Sequence, residues 1–369
     1  MDFGDRVEQL SESARLYSTK KRDFESLTQN EITEISQDIE ITKQKYYGKD
    51  QNAIMSGLTK PKSPAHGYML INNLIVEKIW KLVCVNKIHA FFTQHELQKY
   101  VENACQHDYK QIMKSWGFTS LTKTIDLSML AIYDLILVID DSGSMLRPEG
   151  YITRADIARH VTQIVSYVGS LMDDSGIEIR FMNSNLQGNN VKDCKYIDDL
   201  MVKASPINGN GTPLGYTLRK KVFEDIISNP LRHNKLKKPV CVMIITDGAP
   251  SDAHLVIDTF KHCKNAFAQS KYGKEGICFG ISQIGSDDGA TKYLDSLDKH
   301  PEVGDIVDCT SEFSIEKEKC PSLTENTWIM KLLLGPIDPD YDASDESSQN
   351  VGNMTMNYPI APPVGYPIV

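Results

Sequence analysis

Three short segments of the sequence place oxygen-bearing side chains beside glycine or other small residues. IDDSGSM contains Asp140, Ser142 and Ser144 at alternate positions, GNGTPLG contains Thr212, and IITDGAPSD contains Asp247. Carboxylates and hydroxyls are hard oxygen donors, the ligand type that Mg²⁺ takes in near-octahedral sites. Two carboxylates balance a divalent charge, three hydroxyls add neutral ligands, and a sixth position is left for water or an oxygen of a partner.

The first and third segments each follow an apolar run that is typical of a buried strand. The run at 135–139 precedes Asp140, and the run at 240–246 precedes Asp247. In an open parallel sheet, the loops that bind ligands leave the carboxyl edge. We therefore expect the three segments to bring their five oxygen-bearing side chains to one point.

Apolar runs and amphipathic stretches alternate from Ala131 onward. The predicted strands are 133–140, 176–183, 240–246, 276–284 and 306–309. The predicted helices are 153–173, 197–204, 213–228, one after Asp252, 287–299 and 324–334. This alternation predicts an α/β fold, a doubly wound, Rossmann-like and mostly parallel sheet with helices on both faces.

The chain of 369 residues divides into four predicted parts. They are a polar helical or disordered arm and linker (1–67), a helical region packed on the main domain (68–130), the main α/β domain (131–335) and a disordered acidic and Pro-rich tail (336–369). In the arm, Ile32, Ile35 and Ile39 have helical spacing, which we interpret as a weak, solvated helix.

Composition excludes several classes of function. The net charge of −9 argues against nucleic-acid binding. The eight cysteines form no C-x-x-C pair, which argues against zinc, and no apolar run reaches the length of a membrane span. Because the first residues also lack the apolar region of a signal peptide, we expect a reducing compartment, the cytoplasm.

Taken together, the three segments resemble the von Willebrand factor A domain with its metal-ion-dependent adhesion site. The likeness covers about 131–335. A closer likeness, over about 88–342, is to intracellular A-domain proteins of fungi and other microbial eukaryotes, which mostly have no assigned role. It rests on DYKQIMKSWGF and IDLSMLAIYDLILVIDDSGSM before the metal loop and on LLLGPIDPDYD after the last helix.

The resemblance implies that Ser142, Ser144 and Thr212 contact Mg²⁺, while Asp140 and Asp247 often act through bound waters. Mn²⁺ and Ca²⁺ fit the same oxygen set. The open position suits a carboxylate from an aspartate or glutamate of a protein partner. The predicted function is therefore metal-dependent protein–protein interaction without catalysis.

Two alternatives use the same residues. Some similar A domains are partner subunits of ATP-driven multiprotein complexes, and a co-purifying ATPase would favour that role. An aspartyl-phosphate phosphatase needs a second acid two positions after its nucleophile, but Ser142 occupies that position after Asp140. Serine is a poor general acid near neutral pH, so the phosphatase is the weaker alternative.

Residues next to the candidate ligands have less specific interpretations. Asp141 is expected to be a solvated or loop-bracing acid, and Asp252 to cap the helix that follows it. The insertion LRPEGYI, at 146–152, fits either a partner surface or an ordinary flexible loop.

Overall fold

The computed structural model of the protein describes residues 27–46, 66–149, 152–173, 175–204, 206, 211–321 and 323–342. The beginning of the predicted arm, most of the linker and nearly all of the predicted tail lie outside these residues. Residues 207–210, which include the first glycine, Gly209, of the segment that carries Thr212, also lie outside them.

The described chain contains a six-stranded sheet and a separate short hairpin. The strands are β1 (Asp134–Ile139), β2 (Pro148–Glu149), β3 (Ile152–Thr153), β4 (Ile177–Phe181), β5 (Gln187–Val191), β6 (Val240–Thr246), β7 (Ile277–Gln283) and β8 (Val307–Thr310). The sheet order is β5-β4-β1-β6-β7-β8, and only β5 runs antiparallel to its neighbour. The predicted α/β class and mostly parallel sheet are confirmed.

The central strands form where the sequence is apolar on both faces. All seven residues of β6 are buried, and its bounds are those predicted from VCVMIIT. The edge strand β5 is absent from the predictions. Its sequence, QGNNV, is polar and glycine-containing, and only Gly188 and Val191 are buried, so it has neither a continuous apolar run nor a regular alternation.

Helices connect the strands and precede the sheet. They are α1 (Gln29–Tyr46), α2 (His66–Val85), α3 (Gln94–Ala104), α4 (Tyr109–Trp116), α5 (Leu121–Asp126), α6 (Arg154–Met172), α7 (Cys194–Lys203), α8 (Leu214–Thr217), α9 (Ser228–Arg232), α10 (Ala253–Ala268), α11 (Asp288–Asp298), α12 (Phe313–Lys319), α13 (Glu325–Leu334) and α14 (Pro339–Asp342). A π-helix, Leu218–Ile227, joins α8 to α9.

The helix α1 is packed, which corrects the expectation of a solvated helix. Ile35 and Ile39 are buried, and α1 contacts α2 and α5. Its acidic Glu31 pairs with Lys110 at 3.0 Å. The spacing of the isoleucines predicts the helix. Its packing could not be predicted from its mainly polar sequence, because the helices that it contacts, α2 and α5, lie elsewhere in the chain.

The helical region is also bonded to the last described residues. Lys81 of α2 pairs with Asp338 and Asp340, each at 2.7 Å. The amide nitrogen of Asn86 donates to the hydroxyl of Tyr133 and to the carbonyl of Ile337. These bonds hold 337–340 against α2, whereas the predicted division into four parts stays a prediction.

Among the helices that the structure describes, none is both long enough and apolar enough to cross a membrane.

Candidate metal centre

The two predicted acidic ligands follow the ends of neighbouring strands. Asp140 comes after β1 and Asp247 after β6, and these strands are paired in parallel all along β1. The N–H of Asp140 donates to the carbonyl of Ile245 at 2.9 Å. From here the sheet continues outward to β4 on one side and to β7 on the other, so the two acids lie at the topological switch point, where open α/β sheets leave a crevice.

A chain of hydrogen bonds joins four of the five predicted ligands. The N–H of Ser142 donates to Oδ1 of Asp140 at 2.8 Å. The hydroxyl oxygens of Ser142 and Ser144 are 2.9 Å apart, and the Ser144 hydroxyl donates to Oδ1 of Asp247 at 2.8 Å. The structure therefore brings Asp140, Ser142, Ser144 and Asp247 together, as expected.

The fifth residue, Thr212, is placed differently. Its backbone carbonyl accepts from the N–H groups of Leu214 and Ser251, both at 2.9 Å. This fixes the Thr212 segment beside the loop that follows β6. The Thr212 hydroxyl forms no hydrogen bond with the four other candidate ligands.

Asp141 braces the loops, one of its two expected roles. Its carboxylate is buried and accepts from the N–H groups of Asn183 and Ser184, both at 2.7 Å. The side-chain amide of Asn183 donates to the carbonyl of Gly211 at 3.0 Å. Through Asn183, Asp141 therefore links the loop after β4 to the segment that contains Thr212.

Asp252 caps a different helix from the one predicted. Its side chain makes no capping hydrogen bond to α10, which it precedes. Its carboxylate instead accepts from the N–H groups of Gly215 and Tyr216, at 3.0 and 2.8 Å, at the start of α8. A side chain on Gly215 would meet the backbone of Leu255 at 2.7 Å, so glycine permits this close approach.

Burial makes ionisation of Asp140 less favourable in the metal-free protein. Desolvation raises the pKa of Asp140 to about 6, and the negative charge of Asp247 adds to this effect. The hydroxyl of Thr246, which donates to Oδ2 at 2.6 Å, and the groups of Ser142 act in the opposite direction. A bound divalent cation would favour the ionised form.

Arg154 is a neighbour of the site that the sequence analysis does not identify. It is the first residue of α6, and its Nη1 donates to Oδ2 of Asp247 at 2.9 Å. The other carboxylate oxygen of Asp247, Oδ1, accepts from the hydroxyl of Ser144. Burial lowers the pKa of Arg154, but the bonds and charges of Asp247 and Glu149 outweigh it, so the net shift is upward.

The insertion after the first ligand segment holds this arginine. Nε of Arg154 donates to Glu149 at 2.9 Å, and Glu149 also accepts from the hydroxyl of Ser286 at 3.0 Å. Gly285 has a φ of 78°, and a side chain there would meet Arg154 at 2.6 Å. The hairpin β2–β3 is thus bonded both to α6 and to the loop after β7.

The donor set fits a hard divalent cation. It consists of two carboxylates and three hydroxyls, all from the carboxyl edge of the sheet. Among the described residues, no cluster of three or more His, Cys, Asp or Glu side chains is placed to hold a metal ion. The candidate set contains only two such side chains, and hydroxyls make up the rest.

Comparisons with known proteins do not identify the chain. No protein-family model and no curated protein matches it.

Proposed function

We propose that this protein is a von Willebrand factor A-type module that binds protein partners through a divalent cation. Asp140, Ser142, Ser144, Thr212 and Asp247 would hold the cation, with Mg²⁺ as the default occupant. The cation would supply an open coordination position for an aspartate or glutamate carboxylate of the partner. The proposed activity is binding without catalysis.

One observation carries the proposal. Asp140 and Asp247 lie at the ends of adjacent parallel strands, and a hydrogen-bonded chain joins them through the N–H and hydroxyl of Ser142 and the hydroxyl of Ser144. Four residues chosen from the sequence for their oxygen atoms are thus joined by direct contacts. The backbone pairing of β1 with β6 fixes the distance between Asp140 and Asp247, so these four residues are positioned before any ligand binds.

The same edge exposes apolar side chains. Leu146, Leu186 and Tyr216, each at least 38% exposed, follow β1, β4 and the Thr212 segment. Single exposed apolar residues are common, but several around one polar site favour an interaction surface. Asp141 would keep its bracing role, since its carboxylate fixes the loop after β4.

The proposed family fold has helices on both faces of the sheet. α6 contacts β1, β4 and β6, and α10 contacts β7. The proposed fold would place these two helices on opposite faces of the sheet. The role of a partner subunit in an ATP-driven complex is compatible with the same site, because only the owner of the bound carboxylate differs.

The proposal is tested by titrating the purified protein with Mg²⁺ and with Mn²⁺ in a calorimeter. We expect one site in the wild type and at least about tenfold weaker binding in Asp140→Ala and in Thr212→Ala, because each removes a ligand. Asp258→Ala, which removes an exposed carboxylate from α10, is the matched control and should bind like the wild type.

The second half of the test concerns the partner. Proteins captured from extract by the wild type in Mg²⁺ should be lost both in EDTA and with Asp140→Ala. An identical set in all three conditions, or wild-type metal affinity in Asp140→Ala and Thr212→Ala, would contradict the proposal.

A further inference from the structure

A small cavity lies directly beside the candidate metal centre. Its volume is about 220 Å³, and Asp140 and Asp141 form part of its wall. Pockets that enclose whole small molecules usually measure about 300–1,000 Å³. The cavity is therefore sized for one side chain of a larger ligand.

The rest of the wall is mainly apolar. It includes Ala155 and Ala158 of α6, Phe181 at the end of β4, and Met201 and Val202 of α7. Ala158 and Phe181 are buried, whereas Val202 is 59% exposed although it faces the cavity. Apart from its charged residues, the cavity is thus lined by apolar side chains, and one of them, Val202, is exposed.

The polar side chains around this wall already have partners within the protein. Asp156 forms the capping box of α6 with Thr153. Nε of Arg159 donates to Asp198 at 2.6 Å, and Asp198 also accepts from Gln163 at 2.8 Å. Because these groups are engaged with one another, an occupant gains most by burying apolar surface.

The cavity and the metal centre share Asp140. A ligand group in the cavity would therefore be an immediate neighbour of a carboxylate bound at the cation. In an extended peptide, side chains one or two positions apart are separated by about 3–7 Å along the chain, so one short segment can supply both groups.

We propose that the partner segment carries an aspartate or glutamate with an aliphatic side chain within two residues of it. The carboxylate would go to the cation, and the aliphatic side chain would fill the cavity between α6 and α7. This inference rests on the proposed function and adds its sequence specificity. Burial of one aliphatic side chain is expected to strengthen binding about tenfold or more.

The test uses an array of synthetic peptides, each with one glutamate in a glycine background. All amino acids are placed in turn at the two positions before and the two positions after the glutamate. Binding of the full chain is measured in Mg²⁺, in EDTA and with glutamine in place of glutamate. We expect Val, Leu, Ile or Met to be selected about tenfold over glycine at one of the four positions.

Variants connect this selection to the cavity. Ala155→Leu fills the cavity and Val202→Ser removes apolar surface at its opening, so both should abolish the aliphatic preference while Mg²⁺-dependent binding of the glutamate persists. Tyr196→Ser is the matched control, because Tyr196 is 46% exposed on the same helix but does not line the cavity. Thermal melting checks that each variant is folded.

The outcomes separate the two proposals. Binding that needs Mg²⁺ and glutamate but shows no aliphatic preference would overturn the cavity assignment alone. The same holds for a preference that survives both cavity variants. Absence of any binding that needs both Mg²⁺ and glutamate would overturn the proposed function, and the cavity assignment with it.

Discussion

Two regions of this protein bury carboxylates, but they neutralise them differently. In the helical region, Lys78 pairs with Asp126 at 2.9 Å and Lys81 with Asp338 at 2.7 Å, and all four side chains are at most 9% exposed. At the sheet edge, Asp140 is also buried, but its hydrogen-bond donors, Thr246 and Ser142, are uncharged. It forms no ion pair with any described residue.

The ion-paired carboxylates of Asp126 and Asp338 stabilise the fold, whereas the carboxylate of Asp140 can still bind a cation. In a buried ion pair, each carboxylate already has a cationic partner within the protein, so it does not require an added cation. A buried carboxylate without a cationic partner keeps an unfavourable desolvation energy that an added cation can relieve. The comparison predicts that removing the charge of Lys81 destabilises the helical region, whereas removing the unpaired charge of Asp140 stabilises the metal-free sheet edge.

Lys81→Met should have the largest effect. It leaves Asp338 buried without its cation, which typically costs about 3–5 kcal/mol of unfolding free energy. Urea denaturation measures this loss, while Mg²⁺ affinity of the folded variant should be unchanged. Lys299→Met, which changes an exposed lysine, is the control. A loss below about 1 kcal/mol for Lys81→Met would remove the basis of the comparison.

Asp140→Asn should act in the opposite direction on stability. The amide oxygen can still accept from Ser142, and the buried charge is gone, so the metal-free variant should be about 1–3 kcal/mol more stable than the wild type at pH 7. Its Mg²⁺ affinity should fall at least about tenfold. Destabilisation by more than about 1 kcal/mol would mean that Asp140 is a structural charge like Asp338.

The pH dependence sharpens the same prediction. Because the folded pKa of Asp140 is about 6 and the unfolded value is near 4, the folded state binds the extra proton between these values. The contribution of Asp140 to the unfolding free energy therefore falls as pH rises from about 4 to 6 and stays low above it. The difference between wild type and Asp140→Asn in EDTA should grow over this window, and Mg²⁺ should offset it for the wild type.

Arg154→Met should change cation binding less than Asp140→Asn does. Removal of the guanidinium frees Oδ2 of Asp247 and takes a positive charge away from the site, so Mg²⁺ should bind several-fold more tightly, as measured by calorimetry. Stability without metal should fall, because Asp247 loses its ion pair. Weaker Mg²⁺ binding would show that Arg154 positions Asp247 more than it competes with the cation.

The comparison also explains which features the sequence could predict. VCVMIIT predicts β6 and therefore the position of Asp247, since continuous apolar character and the following acid are local signals. Arg154 is far from Asp247 in the chain, and nothing local links them. The same applies to α1, whose Asp38 pairs with Lys78 of α2. Whether a charged side chain is solvated, ion-paired or unpaired depends on residues of other helices and loops, which the local sequence does not show.

Pairing between neighbours that are distant in the chain also governs how the protein is made. Thr246, at the end of β6, bonds to Asp140 across 106 positions of sequence. At synthesis rates of about 5–20 residues per second, the edge of β1 that receives β6 waits about 5–20 s on the ribosome. This apolar edge therefore stays unpaired during that time, and we expect slower translation between β4 and β6 to lower the folded yield.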